Sequence, residues 1–390
     1  MTKDHGVSEV RRSTRAEIDL AALRSNVQQL ARRAGTSELW AVVKANAYGH
    51  GAVACAQAAL SGGARGLCVA LTQEALELRA ASIDAPLMVL SEQPIADLPH
   101  LVRNDVICVA YNQQYIEALA DESKRQSRRT RVHLKIDTGM HRVGAAPSDA
   151  VTRTRQITSS PHLQMHGVMT HLATADDPQH AATQRQLEEF RRVIDEVRGA
   201  APDLVHVHVA NSAATLRSLM GECTMVRTGI AMYGLTPGDG VADEMQGMRP
   251  VMSLRSRVSH VQRVRAGEGV SYGLRTTLAT DTTVATLPLG YADGIARRAW
   301  ESGVCVLVGG RRRRILGVVT MDQMMVDCGD DTVVVGDEAV IFGSQSGETV
   351  SVEDWATALG TITYEVVCGI SARVPRDYRS EEHTSELQSH

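Results

Sequence analysis

The sequence has 390 residues, of which 43% are hydrophobic and 22% are charged, and its formal net charge is −4 at pH 7. This length exceeds what one compact core usually holds, and the near-neutral balance gives no reason to expect nucleic acid or an anionic membrane as a partner, so the composition predicts a globular protein of two domains. No apolar run is long enough for a bilayer span or a secretory signal, and the seven scattered cysteines form no CxxC pair, which favours buried thiols in a reducing cytoplasm.

From Trp40 to Tyr233, short apolar runs alternate with amphipathic stretches that have the spacing of helices, such as TQRQLEEFRRVIDEVRG. Strands that alternate with helices predict a parallel sheet. Eight runs in about 200 residues favour an α/β fold of the (β/α)8, TIM-like barrel type over an open doubly wound sheet, and we assign residues 14–240 to it. The predicted strands are WAVVK, GLCVAL, PLMVLS, DVICVAY, RVHLKID, LQMHGVMTHL, LVHVHVAN and TMVRTGIAMYG.

A different pattern begins after about residue 248. Valine and threonine become frequent, and runs such as TTVATLPLG and VCVLVGG follow one another with few helices between them, which predicts a mostly β domain over residues 248–378. The stretch TPGDGVADEMQG, rich in glycine and acids, is the expected linker. The polar stretch 379–390 has no pattern and is expected to be a disordered or non-native tail.

Lys44 ends the first apolar strand, WAVVK, and a polar loop containing glycine follows it. In a barrel the carboxyl ends of the strands open on the active-site face. A lysine stem packed there among apolar groups has a lowered pKa and becomes a nucleophile for an aldehyde. A solvated lysine at a strand end would look the same in sequence, so the decision rests on the residues around it.

The string VKANAYGHG, from Val43 to Gly51, resembles the pyridoxal 5'-phosphate (PLP) lysine motif of the alanine racemase family, a group of fold-type III PLP enzymes. The resemblance covers all but about a dozen residues at each end of the chain. It implies that Lys44 binds PLP and that the protein interconverts L-alanine and D-alanine, supplying D-alanine for cell-wall peptidoglycan. The other motifs that carry it, in order, are AEIDLAALRSN, HLKIDTGMHRVG, MVRTGIAMYG, GVSYG, LGYADG, MDQMMVD and TYEVVCGISARVPR.

Gly229 and Ile230 lie in a glycine-containing turn after a strand, where successive backbone N–H groups can bind phosphate. The resemblance implies that this turn binds the cofactor phosphate together with Ser212, Tyr48 and Tyr364. Five neutral donors around one dianion are chemically reasonable, because each donates a charge-assisted hydrogen bond.

The resemblance also implies two bases, Lys44 on one face of the substrate Cα and Tyr272 on the other. A tyrosine hydroxyl is a weak base without cationic help, which the matching His171 and Arg227 would provide. Arg227 is implied to face the pyridine nitrogen of PLP. A guanidinium stays charged and disfavours a protonated ring, so the ring withdraws electrons less strongly and side reactions such as transamination are suppressed.

Arg142, in DTGMHRVG, matches the family's arginine that contacts the phenolic oxygen of PLP and the substrate carboxylate. Lys135 matches a lysine that is carbamylated in some members of the family and then holds that arginine. Arg142 is therefore the expected cation for the substrate carboxylate, and Lys135 the expected residue that holds it.

Met321 and Asp322 match a segment that reaches the site from the partner subunit, and Tyr291 matches a residue of the entry channel. The resemblance thus implies a homodimer with shared active sites. The residue before Met321 departs from the pattern, since Thr320 stands where many relatives have cysteine, and this puts the fine shape of the substrate pocket in question.

Four alternatives stay open at this point. A racemase of the same family acting on serine, lysine or several amino acids would need only one or two changed side chains. A PLP amino-acid decarboxylase would be expected to have an acidic residue at position 227, so Arg227 argues against this class. A PLP-binding carrier or regulator would not need the second domain with Tyr272. A metal site at His206 and His208, which share a strand face, matches no common zinc spacing, and we expect no metal.

Overall fold

The structure is a computed structural model that describes residues 12–380 and divides them into two compact units. One unit is residues 20–251 and the other combines residues 12–19 with residues 252–380. None of the helices within this part of the chain is both long and apolar enough to cross a membrane.

The first strand, β1 (Arg15–Asp19), belongs to the second unit, and the first unit is built on eight parallel strands. Their order in the sheet is β8-β7-β6-β5-β4-β3-β2-β9. The end strands are joined by hydrogen bonds of 2.9 Å from Thr224 N to Val207 O and from Arg227 N to Ala210 O, which bring the sheet to a barrel. The predicted TIM-like fold is confirmed. The strands are β2 (Glu38–Val42), β3 (Gly66–Val69), β4 (Leu87–Val89), β5 (Ile107–Ala110), β6 (Thr130–Lys135), β7 (Leu163–Met169), β8 (His206–His208) and β9 (Met225–Thr228).

Amphipathic helices connect these strands. In α8, for example, Phe190, Val193, Ile194 and Val197 are buried, and their spacing of three and four residues places them on one face. The helices of this unit are α1 (Leu20–Ala34), α2 (Lys44–Tyr48), α3 (Ala52–Ser61), α4 (Thr72–Ala80), α5 (Leu98–Arg103), α6 (Gln113–Arg125), α7 (Ala150–Thr158), α8 (Ala182–Ala200) and α9 (Ser212–Leu216).

The second unit is mostly β, as predicted. Its main sheet runs in the order β11-β14-β17-β16-β15-β18-β10-β1-β20, with β19 paired to β18 and a separate hairpin β12–β13. Its elements after β1 are β10 (Met252–Arg257), β11 (His260–Val264), β12 (Gly269–Val270), β13 (Thr276–Thr277), β14 (Thr282–Leu287), α10 (Ala299–Ser302), β15 (Cys305–Val308), β16 (Arg311–Leu316), β17 (Met324–Asp327), β18 (Glu338–Gln345), β19 (Glu348–Val350), α11 (Val352–Leu359), α12 (Thr363–Cys368) and β20 (Arg376–Arg379).

Three boundaries differ from those expected. Strand β1 was assigned to the barrel, but it pairs with β10 and β20, where buried Glu17 binds Arg255 at 2.9 Å and Arg379 at 2.7 Å. Arg379 was assigned to the tail, but it ends β20; residues 381–390 of that expected tail lie outside the described residues. The expected linker belongs to the barrel unit, where Gln29 Nε2 donates to Gly247 O at 2.8 Å.

Candidate active site

The nine barrel residues singled out from the sequence lie close to the carboxyl ends of the strands, and all but Arg227 lie at or after those ends. This is the end on which barrel enzymes build their sites. They are Lys44 and Tyr48 after β2, Lys135 at the end of β6, Arg142 after β6, His171 after β7, Ser212 after β8, Arg227 within β9, and Gly229 and Ile230 after β9.

Lys44 is the first residue of α2, which is a single left-handed turn. Residues 45–48 all have φ between 51° and 53°, although none of them is glycine. This conformation costs an L-residue roughly 1–2 kcal/mol, so the turn persists only because surrounding contacts hold it.

Side chains on both sides anchor the left-handed turn. Glu74 Oε1 accepts from Ala45 N at 2.6 Å, while its Oε2 accepts from Ala70 N at 2.8 Å and thereby links the turn to the loop after β3. Asn46 Oδ1 accepts from Ala52 N at 2.8 Å, at the start of α3. The backbone that carries Lys44 is therefore fixed at both ends.

A polar cradle forms where Ser212 meets the turn after β9. Ser212 Oγ accepts from Gly229 N at 2.9 Å and from Ala231 N at 3.4 Å, which leaves its hydroxyl hydrogen to donate to a further acceptor. The phenol oxygen of Tyr48 lies so close to Gly229 that a Cβ at this position would collide with it unless the tyrosine moved. Three of the residues expected to bind phosphate thus converge.

Positive charge is concentrated beside this cradle. Burial, together with the charges of Arg227, Arg142 and Lys44, lowers the pKa of Lys135 to about 8. The same cations, after burial, hold the pKa of His171 well below its ordinary value. A pocket with this excess of positive charge favours an anionic ligand.

Arg227 is buried within this cluster and makes several directed contacts. Its Nη1 lies 2.6 Å from His208 Nδ1, and its Nη2 lies 3.3 Å from His171 Nδ1. Nη2 also donates to the backbone oxygens of Thr170 at 3.0 Å and of Val209 at 3.3 Å. Burial lowers the pKa of the guanidinium. An arginine nevertheless stays protonated in proteins, so Arg227 remains a permanent cation.

The loop that carries Arg142 is held by Asp137. Its Oδ1 accepts from Gly139 N at 2.9 Å and from Met140 N and His141 N at 3.0 Å each, and these bonds help to hold the pKa of the carboxyl below its ordinary value although burial opposes them. Arg142 itself is exposed in the single chain.

The remaining predicted site residues belong to the second unit. Tyr272 is 72% exposed on a turn whose neighbours Ser271 and Gly273 have φ of 65° and 73°. The segments that carry Tyr291 and Met321 lie side by side, since Tyr291 N donates to Thr320 O at 2.9 Å and Ala292 N donates to Met321 O at 3.0 Å. Both side chains are exposed.

Asp322 accepts from Arg373 at 2.7 Å, and Tyr364 is half-buried in α12. Tyr272 and Thr320 line one hollow of this unit.

Three residues of the barrel site were missed. Glu74 and Gln186 hold the Lys44 turn and the His171 loop, the latter through Gln186 Nε2 to His171 O at 3.0 Å. Both lie on helices far from any motif, so no local signal could have found them. His208 was considered only as a metal ligand, because it shares a strand face with His206. Among residues 12–380, no group of three His, Cys, Asp or Glu side chains could hold a metal ion.

Comparison with known proteins identifies the family. A family model described as the N-terminal domain of alanine racemase matches residues 18–237, and one described as its C-terminal domain matches residues 251–378. The chain belongs to the alanine racemase family. The family expected from the sequence motifs is confirmed, and so is the enzyme class, because racemases are isomerases.

Individual relatives in this family are similar over nearly their whole length. An alanine racemase of Frankia casuarinae is 43% identical over 93% of this chain and 95% of the relative, and alanine racemase 1 of Bacillus subtilis is 40% identical over 97% and 96%. The crystal structure of the alanine racemase of Streptomyces lavendulae superposes with a TM-score of 0.90 at 40% identity, over 96% of this chain and 99% of that one.

A structure of the Bacillus anthracis alanine racemase with bound L-Ala-P superposes with a TM-score of 0.88 at 36% identity. It covers 95% of this chain and 96% of that one. Both units of the present chain are therefore matched in sequence and in fold.

Proposed function

We propose that this protein racemises alanine with PLP bound at Lys44. The observation that carries the proposal is the convergence of Lys44, a cationic cluster and the polar cradle of Ser212 and Gly229 at the carboxyl end of the barrel, in a chain about 40% identical to proteins named alanine racemase. The bound L-Ala-P in a relative's structure supports alanine as the substrate.

The donor set suits PLP. The hydroxyl of Ser212, the backbone around Gly229 and the phenol of Tyr48 would bind the phosphate, and a Cβ at Gly229 would collide with that phenol. The cations beside them would meet the negative charge of the ring oxygen and of the substrate carboxylate. PLP, when bound, supplies an aldehyde that captures an amine and a ring that acidifies the α-hydrogen of the captured amino acid.

Each barrel cation has a distinct role in the proposal. Lys44 binds the cofactor aldehyde and then moves a proton on one face of the substrate Cα. Arg142 binds the substrate carboxylate. Arg227 would present a permanent cation to the ring nitrogen and disfavour its protonation, so the ring would withdraw electrons less strongly and transamination would be suppressed.

The opposite face of Cα requires a second base, and we assign it to Tyr272 from the partner subunit of a homodimer. Tyr272, Met321 and Tyr291 are all exposed in the single chain. Such exposure suits residues that complete the active site of a second copy. A partner that covers the barrel mouth would also exclude water from the site.

The proposal is tested by hydrogen exchange at Cα. Purified protein with PLP is incubated in D2O with L-alanine, L-serine or L-lysine, and loss of the α-proton signal is followed by NMR. We expect fastest exchange with alanine, loss of activity in Lys44→Ala, and retained activity in Lys124→Ala, a matched change of a surface lysine. Release of carbon dioxide without exchange would instead indicate a decarboxylase.

The face assignment is tested in the same assay. Tyr272→Phe should slow exchange from L-alanine far more than from D-alanine, because Lys44 remains for the D-enantiomer. Equal losses for both enantiomers would contradict two bases and indicate one shuttling base.

A further inference from the structure

Three imidazoles lead from Arg227 into the interior of the barrel. His208 Nδ1 lies 2.6 Å from Arg227 Nη1, His208 Nε2 lies 2.7 Å from His133 Nδ1, and His133 Nε2 lies 2.9 Å from His166 Nδ1. His133 and His208 are fully buried, and His166 is half-buried. We call His208, His133 and His166 the imidazole chain.

The donor at one end fixes every proton in this chain. A guanidinium only donates, so His208 Nδ1 must accept and its single hydrogen lies on Nε2. That hydrogen points to His133 Nδ1, which must therefore accept, and the same reasoning places the hydrogen of His133 on Nε2 and makes His166 Nδ1 an acceptor. All three residues then share one tautomer.

The barrel is shaped around this chain. A Cβ at position 167 would lie 2.7 Å from the His133 ring, so Gly167 on the neighbouring strand provides the space for that imidazole. His206 also contacts the chain, with its ring 4.9 Å from that of His166, but it lies 3.5 Å from Thr224 Oγ1 and is not a link in the series.

The chain stays neutral at physiological pH. Burial, followed by neighbouring imidazoles and the positive charges of Arg227 and Arg131, holds the pKa of His133 well below its ordinary value. Burial and the same kinds of neighbour lower the pKa of His166 to about 4. Neutral rings preserve the one-hydrogen pattern that the geometry requires.

We propose that His133 and His166 are positioning residues for Arg227. By accepting the hydrogen of His208 Nε2, His133 holds His208 in the tautomer whose Nδ1 accepts from the guanidinium, and His166 does the same for His133. The inference rests on the proposed function, because only there does the orientation of Arg227 matter to a reaction.

Removing the acceptor should release this orientation. With an apolar side chain at position 133, the buried N–H of His208 loses its partner. The alternative tautomer would aim an N–H of His208 at the N–H of Arg227. Either outcome weakens the hold on the guanidinium.

The first test reads the tautomers directly. Histidine labelled with 15N in the holoenzyme gives separate signals for protonated and unprotonated ring nitrogens, and His→Gln variants assign them. We expect His208, His133 and His166 to carry hydrogen on Nε2 alone at pH 7–8. Hydrogen on Nδ1 of His208 or His133 would overturn the proposal, and this result does not depend on any activity.

The second test links the chain to catalysis. His133→Leu should lower kcat about tenfold with KM little changed, the scale expected for a buried donor left without its acceptor. His133→Asn, whose Oδ1 can accept from His208, should recover most of the loss. His206→Leu removes another buried ring, one outside the chain, and should leave kcat within about twofold.

Equal losses in His133→Leu and His206→Leu, or no recovery in His133→Asn, would show that His133 only fills space and would overturn the proposal. If His133→Leu does not fold, His166→Leu at the half-buried end should lower kcat in the same direction, and an unchanged kcat would contradict the account. If the wild-type protein racemises no amino acid, the proposed function fails while the NMR result still decides the tautomers.

Discussion

At the scale of the residue, the surroundings of Lys135 in the barrel make its side chain a much weaker base. Its pKa falls from 10.5 to about 8, first because it is buried and then because Arg227, Arg142 and Lys44 lie near it. The nitrogen of a neutral amine can bond to the carbon of carbon dioxide and release one proton to solvent, and the resulting carbamate would place a negative charge among these cations. We therefore propose that Lys135 is carbamylated.

Carbamylation of Lys135 predicts a new carbonyl signal when the protein is equilibrated with 13C-bicarbonate. A lowered lysine pKa makes the neutral amine abundant above about pH 8 and scarce below it, so the signal should form more readily at pH 8.5 than at pH 6.5. It should disappear in Lys135→Ala and persist in Lys124→Ala. The chain has only four lysines, so assignment is direct, and a signal retained in Lys135→Ala would contradict the proposal.

Arg227→Glu reverses the charge that is assigned to the ring nitrogen. We expect racemisation to fall by about 100-fold or more and the share of transamination, measured as pyridoxamine phosphate formed, to rise. Arg155→Glu, which reverses an exposed arginine of α7, is the matched control. An unchanged ratio of transamination to racemisation in a folded Arg227→Glu protein would show that Arg227 does not act on the ring.

At the scale of the element, the left-handed turn directly after Lys44 places strained backbone next to the proposed cofactor lysine. Glycine adopts positive φ at little cost, so Ala45→Gly should raise the free energy of unfolding by about 1 kcal/mol, despite the greater freedom that glycine has when unfolded. Ala118→Gly, in right-handed α6, should lower it by about as much. Thermal unfolding measures both, and destabilisation by Ala45→Gly would show that the turn is not strained.

The sequence predicted the barrel strands well, but it predicted neither the left-handed turn after Lys44 nor the place of β1. All eight barrel strands were located because buried parallel strands form continuous apolar runs, as in Gly66–Val69. The left-handed turn was not foreseen, since no glycine occupies residues 45–48 and the contacts that hold it come from Glu74 and from Ala52. β1 was placed in the wrong unit because pairing with β10, more than 230 residues away, leaves no trace in local pattern.

At the scale of the whole molecule, the proposed site takes Lys44 from one subunit and Tyr272 from the other. The family motifs, and not local sequence patterns, indicated both bases. Mixing Lys44→Ala chains with Tyr272→Phe chains should restore activity, because each mixed dimer has one site with both residues intact. With random exchange about half the dimers are mixed, so roughly a quarter of all sites should be restored in a two-fold dimer. A mixture shown to have exchanged subunits, yet no more active than either variant alone, would contradict the shared site.

The imidazole chain shows what the sequence could not provide at this scale. His208, His133 and His166 lie on three strands, and their hydrogen bonds join residues up to 75 positions apart. Their spacing in sequence matched no motif. Only the closure of the barrel brings them into line with Arg227.

As a racemase, this protein must interconvert the two enantiomers of alanine. The most direct measurement is chiral chromatography of alanine incubated with purified protein and PLP, started separately from L-alanine and from D-alanine. Enantiomers have equal free energies in water, so a racemase must bring both reactions to the same equal mixture, at a rate that Lys44→Ala abolishes. If either enantiomer keeps its optical purity in the presence of active holoenzyme, or if alanine is consumed with release of carbon dioxide, the account is wrong.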